Sequence, residues 1–265
     1  MGVINYRAGI LKSLNFLLAR VNRRIEVVEA FKKDPDGIFK GRTLKKVEDL
    51  YWMLDPMPSE KDLEIYYKNE YWNHRNQPSL VSARDLLHFE LIVGLEPDFF
   101  KVKRKIMNFG AGPGGVSFLF SAAGHEVINI EPSATIGVSE FGIKTYATLE
   151  EYLGQDIDLV YGSHSLEHVS DVHSVLEAIN KRLKSDSFSF WEVPNALGIG
   201  NGPMESKVFI PHTYYFTKKF FEEYYQDIRV NIVGTDKSSY RSNTVFEESV
   251  QGDVIRFFGS KYSFS

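Results

Sequence analysis

Two imidazoles and a carboxylate stand at positions i, i+3 and i+4 in the short run Ser163-His164-Ser165-Leu166-Glu167-His168. That pattern suits proton transfer. A histidine titrates near neutral pH, so His168 can take a proton from an attacking acceptor while Glu167 orients or polarises it, help of ~10²–10⁴-fold in rate. The same residues also suit a bracing role, with His168 fastening the loop and touching the chemistry only indirectly. They suit a metal ion as well, if His212 joins His164, Glu167 and His168 from a later loop.

A second constellation is the glycine-rich run Asn108-Phe109-Gly110-Ala111-Gly112-Pro113-Gly114-Gly115. It leaves the β-rich stretch Ile106–Phe109 and enters a helix through Pro113, a residue suited to the first helical turn. Its glycines allow a ligand to approach the backbone closely. Glu131 follows 17 residues after Gly114, at the end of the next strand, where a carboxylate can accept hydrogen bonds from both hydroxyls of a ribose. Glycines and acid together predict a nucleoside-cofactor site. Because Gly110, Gly112 and Gly115 also satisfy G-x-G-x-x-G, a nicotinamide or flavin dinucleotide remains open beside other nucleoside cofactors. A third feature, Pro211-His212-Thr213-Tyr214-Tyr215-Phe216-Thr217, reads as a loop roofing the site. His212 is its candidate substrate contact, and its three aromatics are read as packing for the helix Phe220–Tyr225.

These groups need elements to hold them. The pattern predicts a helix from Ser82 to about Gly94, a strand at Lys105–Phe109, a helix to about Ala123 and a strand at His125–Ile130. Strands near Ile143–Tyr146 and Ile157–Tyr161, a helix from Asp171 to Lys184 and a strand at Ser187–Val193 continue the rhythm. Such alternation implies parallel strands with helical crossovers: an α/β fold, a Rossmann-like doubly wound sheet binding its ligand at the strands' carboxyl ends. Strands near 228–233 and 254–258 read as a closing hairpin with the last strand antiparallel. The texture changes near Gln77-Pro78. Residues 1–78 are therefore read as an N-terminal helical cap or lid and 79–265 as the main domain. Within the cap, Ser59-Glu60-Lys61-Asp62 opens a helix carrying Leu63, Tyr66, Tyr67 and Tyr71.

Composition narrows the function classes. With 265 residues, 43% of them hydrophobic, the chain can bury a core, and a net charge of −4 provides no field to attract nucleic acid. It contains no cysteine, which excludes a thiol nucleophile, disulfides and thiolate zinc. No apolar run approaches the ~18 residues of a membrane span, so no membrane insertion is expected. A cytoplasmic protein acting on a small-molecule substrate is the resulting expectation, and the sequence carries no signal for an oligomeric state.

Three further segments add a resemblance: Val127-Ile-Asn-Ile-Glu-Pro-Ser133 after the glycine turn, Ile157 to Val172 around the fourth strand, and Phe190-Trp-Glu-Val-Pro-Asn195 in the fifth. In order and spacing, residues 79 to about 233 resemble the class I S-adenosylmethionine-dependent methyltransferases. The resemblance implies that Gly110, Ala111 and Gly112 face the methionine and ribose of S-adenosylmethionine, and that Glu131 holds the ribose diol. It likewise implies that Pro132 and Leu149 sandwich adenine and that Ser163 lies under the sulfonium. Asn108 departs from the family, which commonly has an acid there for the methionine amino group. Some relatives with an E-x-x-E-H version of the 164–168 loop depend on a divalent metal. Here His164 replaces the first acid, which makes oxygen-seeking magnesium less natural, and no metal is assigned.

The run from His212 to Phe216 is similar to the HEH-x-x-YF signature of sugar C-methyltransferases, with Thr213 in place of the acid. Asp55 to Trp72 is similar to the connector ahead of methyltransferase domains in cell-surface carbohydrate pathways; Tyr67 and Tyr71 read first as an aromatic core stripe and second as groups that could reach the cofactor's carboxylate. The resemblance thus implies methylation, with oxygen the favoured acceptor, of a sugar, sugar nucleotide or surface-polysaccharide precursor. The competing readings are a nicotinamide-dependent sugar oxidoreductase and a non-catalytic S-adenosylmethionine-binding subunit.

Overall fold

The computed structural model describes residues 25–26, 37–39, 42–69, 81–133, 142–197, 212–225, 229–233 and 254–260. Tyr71, Trp72 and Pro211 lie outside this set, as do the basic residues before Ile25.

Seven strands form the main sheet: β4 (Lys105–Phe109), β5 (Glu126–Ile130), β6 (Lys144–Tyr146), β7 (Ile157–Ser163), β8 (Leu183–Pro194), β10 (Arg229–Val233) and β11 (Val254–Ser260). Their order is β10-β11-β8-β7-β4-β5-β6. The five strands from β4 to β8 run parallel, while β11 is antiparallel to both β8 and β10. From β4 the chain winds outward through β5 to β6, then returns to lay β7 on the other side of β4. The sheet's topological switch therefore falls between β4 and β7, where a crevice opens at the strands' carboxyl ends.

The strands are apolar on both faces, as helix-covered parallel strands must be. Neighbouring residues point oppositely. Met107, Val160, Trp191 and Phe257 enter one core with α4 (Val172–Asn180) and α5 (Lys218–Tyr224). Ile106, Leu159, Phe190 and Phe258 enter the other, with α2 (Ala83–Leu95) and α3 (Gly115–Ala122). Ser82 starts α2 with a capping box to Asp85, and the Asp171 carboxylate caps α4 on the amides of His173 and Ser174.

The amino-terminal region departs from the helical cap expected of it. Its described part is mainly β: β1 (Ile25–Glu26), β2 (Thr43–Val47) and β3 (Tyr51–Asp55) form a second sheet, and only α1 (Glu60–Asn69) is helical. Val47 pairs with Tyr51 across the turn Glu48-Asp49-Leu50, with Glu48 in the left-handed region at φ 46°. This hairpin lacks the glycine or asparagine that normally betrays one. It is secured instead from far away, by β9 (Tyr214–Phe216), which pairs antiparallel with β3. The expected loop at 211–217 is accordingly a strand at its centre. Leu44, Leu54, Leu63 and Tyr215 close a small core beneath this sheet. Tyr214, Phe216, Phe220 and Phe221 pack into the main core, as the aromatic run predicted. Among the described residues no helix is long and apolar enough to cross a membrane.

Candidate active site

A cavity of about 650 Å³ occupies the crevice, within the ~300–1,000 Å³ that suits a small ligand. Its floor is the turn after β4. Gly110, Gly112 and Gly114 all have positive φ, at 72°, 52° and 79°. The amides of Gly110 and Ala111 bond to the carbonyl of Ile130, which ties the turn to the end of β5. Gly110 meets a second constraint, because a Cβ on it would stand 2.3 Å from Cβ of Ser165. Only glycine lets the turn lie against the loop after β7.

Glu131 is buried in the cavity wall, where its carboxylate accepts from the amides of Gly112 (2.8 Å) and Ser133 (2.9 Å). Burial raises its pKa, and those two amides pull it back. Each carboxylate oxygen has a second lone pair for a ligand hydroxyl. Asn108, also in the wall, donates from Nδ2 to Ser117 Oγ at 2.7 Å, while its buried Oδ1 has no hydrogen-bond partner among the described residues. A buried acceptor without a donor favours a ligand that brings one, such as an ammonium group. The glycine cradle, the carboxylate and this acceptor together fit S-adenosylmethionine. Pro132 and Ser163 line the cavity too. Leu149 does not: it packs in the main core, and its carbonyl accepts from Arg182.

From the loop after β7, the 3₁₀ turn Leu166–His168 presents the expected imidazole, His168, to the cavity, with the expected acid, Glu167, buried behind the lining. Glu167 is fully buried, and three histidines surround one of its oxygens. Oε1 lies 3.2 Å from His164 Nδ1, 3.9 Å from His168 Nε2 and 4.0 Å from His212 Nε2. Burial alone would raise the pKa of Glu167, but the His164 hydrogen bond and the fields of the three imidazoles hold it at about 2. Burial would likewise lower that of His164, yet its contacts with Glu167 and Glu192 hold it at about 9. His164 lines the cavity in the left-handed region, φ 52°, a strained backbone for a non-glycine residue and one typical of functional sites.

His212 is buried, its ring centroid 5.0 Å from that of His168, and it is not among the described cavity-lining residues. Its neighbour Thr213 shares its hydroxyl between the carbonyls of Glu167 and Val169, bracing the turn Leu166–His168 at the position where the sugar C-methyltransferase signature has an acid. Glu167, His168 and His212 bring ligand atoms within 4.8 Å of one another. The protonated His164 beside the only carboxylate of that trio already matches its charge, which disfavours a divalent ion there.

Sequence reasoning missed the supports behind this wall. Glu192 on β8, fully buried, accepts from Arg256 Nη2 (2.8 Å) and Nε (3.0 Å) and from His88 Nε2 (2.8 Å), and it lies 3.5 Å from His164 Nε2. Burial opposes its charge, but His88, His164 and Arg256 hold its pKa well below the carboxylate range. Burial pushes the His88 imidazole down, so neutral His88 donates to Glu192 and accepts from the Tyr161 hydroxyl at 2.8 Å. The available signal was a Glu and an Arg inside strongly apolar strands, Phe190–Val193 and Val254–Phe258. Tyr67 of α1, singled out for the cofactor's carboxylate, lines the cavity, and what the sequence did not indicate is its partner: its hydroxyl lies 2.8 Å from His168 Nδ1.

Comparison with known proteins gives concordant results. A family model described as a methyltransferase domain matches residues 71–233. A C-methyltransferase, NovU of Streptomyces niveus, is 27% identical over 122 residues, 42% of this chain and 29% of that protein. The chain thus spans less than a third of that relative's length. Among solved structures, the plantazolicin methyltransferase BpumL, in complex with SAH, has a TM-score of 0.51 at 13% identity, covering 76% of this chain and 94% of that one. The PH0226 protein of Pyrococcus horikoshii has a TM-score of 0.51 at 14% identity, covering 73% and 99%. At such identities the structural likeness is one of fold.

Proposed function

Because the chain belongs to the methyltransferase-domain family, we propose that it transfers the methyl group of S-adenosylmethionine to a small polar metabolite, a sugar, sugar nucleotide or surface-polysaccharide precursor. One observation carries this reading: a single cavity is lined by the Gly110–Gly112 turn, Glu131, His164 and His168 together. When bound, the cofactor supplies a methyl group made electrophilic by its sulfonium. The chain's own residues do the rest. Gly110, Ala111 and Gly112 hold the methionine and ribose portion, Glu131 the ribose hydroxyls, and Asn108 Oδ1 accepts from the ammonium group. Pro132 packs on adenine, Ser163 borders the sulfonium, and the pair His168–Glu167 receives the acceptor's proton.

Residues 1–78 serve as a cap over the 79–265 domain, with β9 linking the two through β3. An oxygen acceptor is the first reading. The likeness to a C-methyltransferase favours, as the second, a carbon acid next to a carbonyl.

Calorimetric titration tests the cofactor. S-adenosylhomocysteine should bind and NAD(P) should not; the reverse result overturns the reading in favour of an oxidoreductase. Nucleotide sugars and phosphorylated metabolites should then be screened for methyl transfer by mass spectrometry. With the acceptor found, His168→Ala should retain S-adenosylhomocysteine and lose ~10²–10⁴-fold in kcat. Wild type that binds the cofactor and methylates nothing would support a non-catalytic subunit.

A further inference from the structure

We propose, on the footing of the methyl-transfer reading above, that Tyr67 is a catalytic residue contributed by the cap: its phenolic oxygen receives the acceptor's proton and hands its own to His168. The geometry around His168 leads there. Tyr67 and His168 both line the cavity, with the phenolic oxygen 2.8 Å from Nδ1 and the rings 5.2 Å apart at 71°. The other ring nitrogen, Nε2, faces Glu167 Oε1 at 3.9 Å. Nδ1 is covered by the phenol and Nε2 is turned to a buried carboxylate. An acceptor in the cavity therefore reaches His168 through the phenolic oxygen.

The surroundings also set the direction of the Tyr67–His168 hydrogen bond. Among the described residues, the titratable groups found facing His168 are Tyr67, Glu167 and His212, with His164 one step behind Glu167. Glu167 stays ionised because His164 is bound to it, and a carboxylate facing Nε2 favours the tautomer with its hydrogen on that nitrogen. Nδ1 then offers its lone pair to the Tyr67 hydroxyl. This is the relay of nucleophilic triads, hydroxyl to imidazole with a carboxylate behind, applied to a phenol.

The step balances. As the acceptor atom bonds to the methyl carbon, the electron pair of the methyl–sulfur bond stays with sulfur. The acceptor's proton passes to the Tyr67 oxygen and the Tyr67 proton passes to His168 Nδ1. Tyr67 ends unchanged, without a free phenolate, and the positive charge rests on His168 opposite Glu167. Glu167 acts here as a positioning residue.

The test is ¹⁵N NMR of the full chain labelled at histidine, alone and with S-adenosylhomocysteine. His168 should show hydrogen on Nε2 and a lone pair on Nδ1. Tyr67→Phe removes a donor that stabilises the neutral ring, so the His168 titration midpoint should rise while S-adenosylhomocysteine affinity stays within about twofold. Hydrogen on Nδ1 in the wild type, or a midpoint unmoved in Tyr67→Phe, overturns the relay. With an acceptor from the screen, Tyr67→Phe should lower kcat by ~10²-fold or more, and wild-type kcat in that variant overturns it also. Failure of the methyl-transfer reading looks different: the wild type does not bind S-adenosylhomocysteine, whatever the His168 tautomer.

Discussion

Arg256 on β11 and Glu192 on β8 are cross-strand partners in register, and their buried side chains meet with Arg256 Nε and Nη2 at 3.0 and 2.8 Å from Glu192 Oε2. The antiparallel strand thus delivers a cation behind His164, a residue of the cavity wall. Glu192 in turn touches His88 and His164, so one ion pair supports both the helix that borders the cavity and the loop after β7. Arg256→Met should leave Glu192 charged and buried, which costs about 3–5 kcal/mol. Urea denaturation measures it. Arg256→Met combined with Glu192→Gln should recover part of that loss, whereas equal stability of Arg256→Met and wild type would show that the pair contributes nothing.

Gly110→Ala meets two obstacles, a φ of 72° and a contact of 2.3 Å with Ser165 Cβ. The left-handed backbone alone costs about 1–2 kcal/mol. The variant should bind S-adenosylhomocysteine at least ~10-fold more weakly. Adding Ser165→Gly removes the clash but not the backbone strain, so affinity should return only in part. Wild-type affinity in Gly110→Ala would exclude this turn as the cofactor's cradle.

Glu131→Ala removes the acceptor of two backbone amides and of the ligand hydroxyls assigned to it. Hydrogen bonds to a charged group contribute about 1.5–3 kcal/mol each, so the dissociation constant should rise at least ~10-fold. Calorimetry decides, and an unchanged constant would mean the acid is misassigned.

The His164–Glu167 pair should shape stability against pH. The pKa of Glu167 falls from 4.5 to about 2, so its contribution is present above 4.5 and is lost as pH falls toward 2. That of His164 rises from 6.5 to about 9, so its contribution is complete below 6.5 and is lost as pH rises through 9. In thermal melts, His164→Asn should be most destabilised relative to wild type between these limits, near pH 5–6, with the deficit shrinking toward pH 9. A deficit independent of pH would assign the effect to packing.

What the sequence by itself determined is what short stretches of chain encode. Lys105–Phe109, the glycine turn, the following helix and Glu131 are legible because their contacts are local: Gly112 meets the Glu131 carboxylate only 19 residues away. Strand–helix alternation likewise implies the parallel sheet, since a parallel crossover needs a covering helix. Tertiary structure alone decided which polar side chains meet. Tyr67 and His168 are 101 residues apart, His88 and Glu192 104, and Arg256 and Glu192 64. The hairpin of β2 and β3 belongs to the same class, because β9 completes its sheet from more than 150 residues downstream. Periodicity reports which face of an element is buried. A buried charge needs a partner, and the identity of that partner depends on how the chain returns.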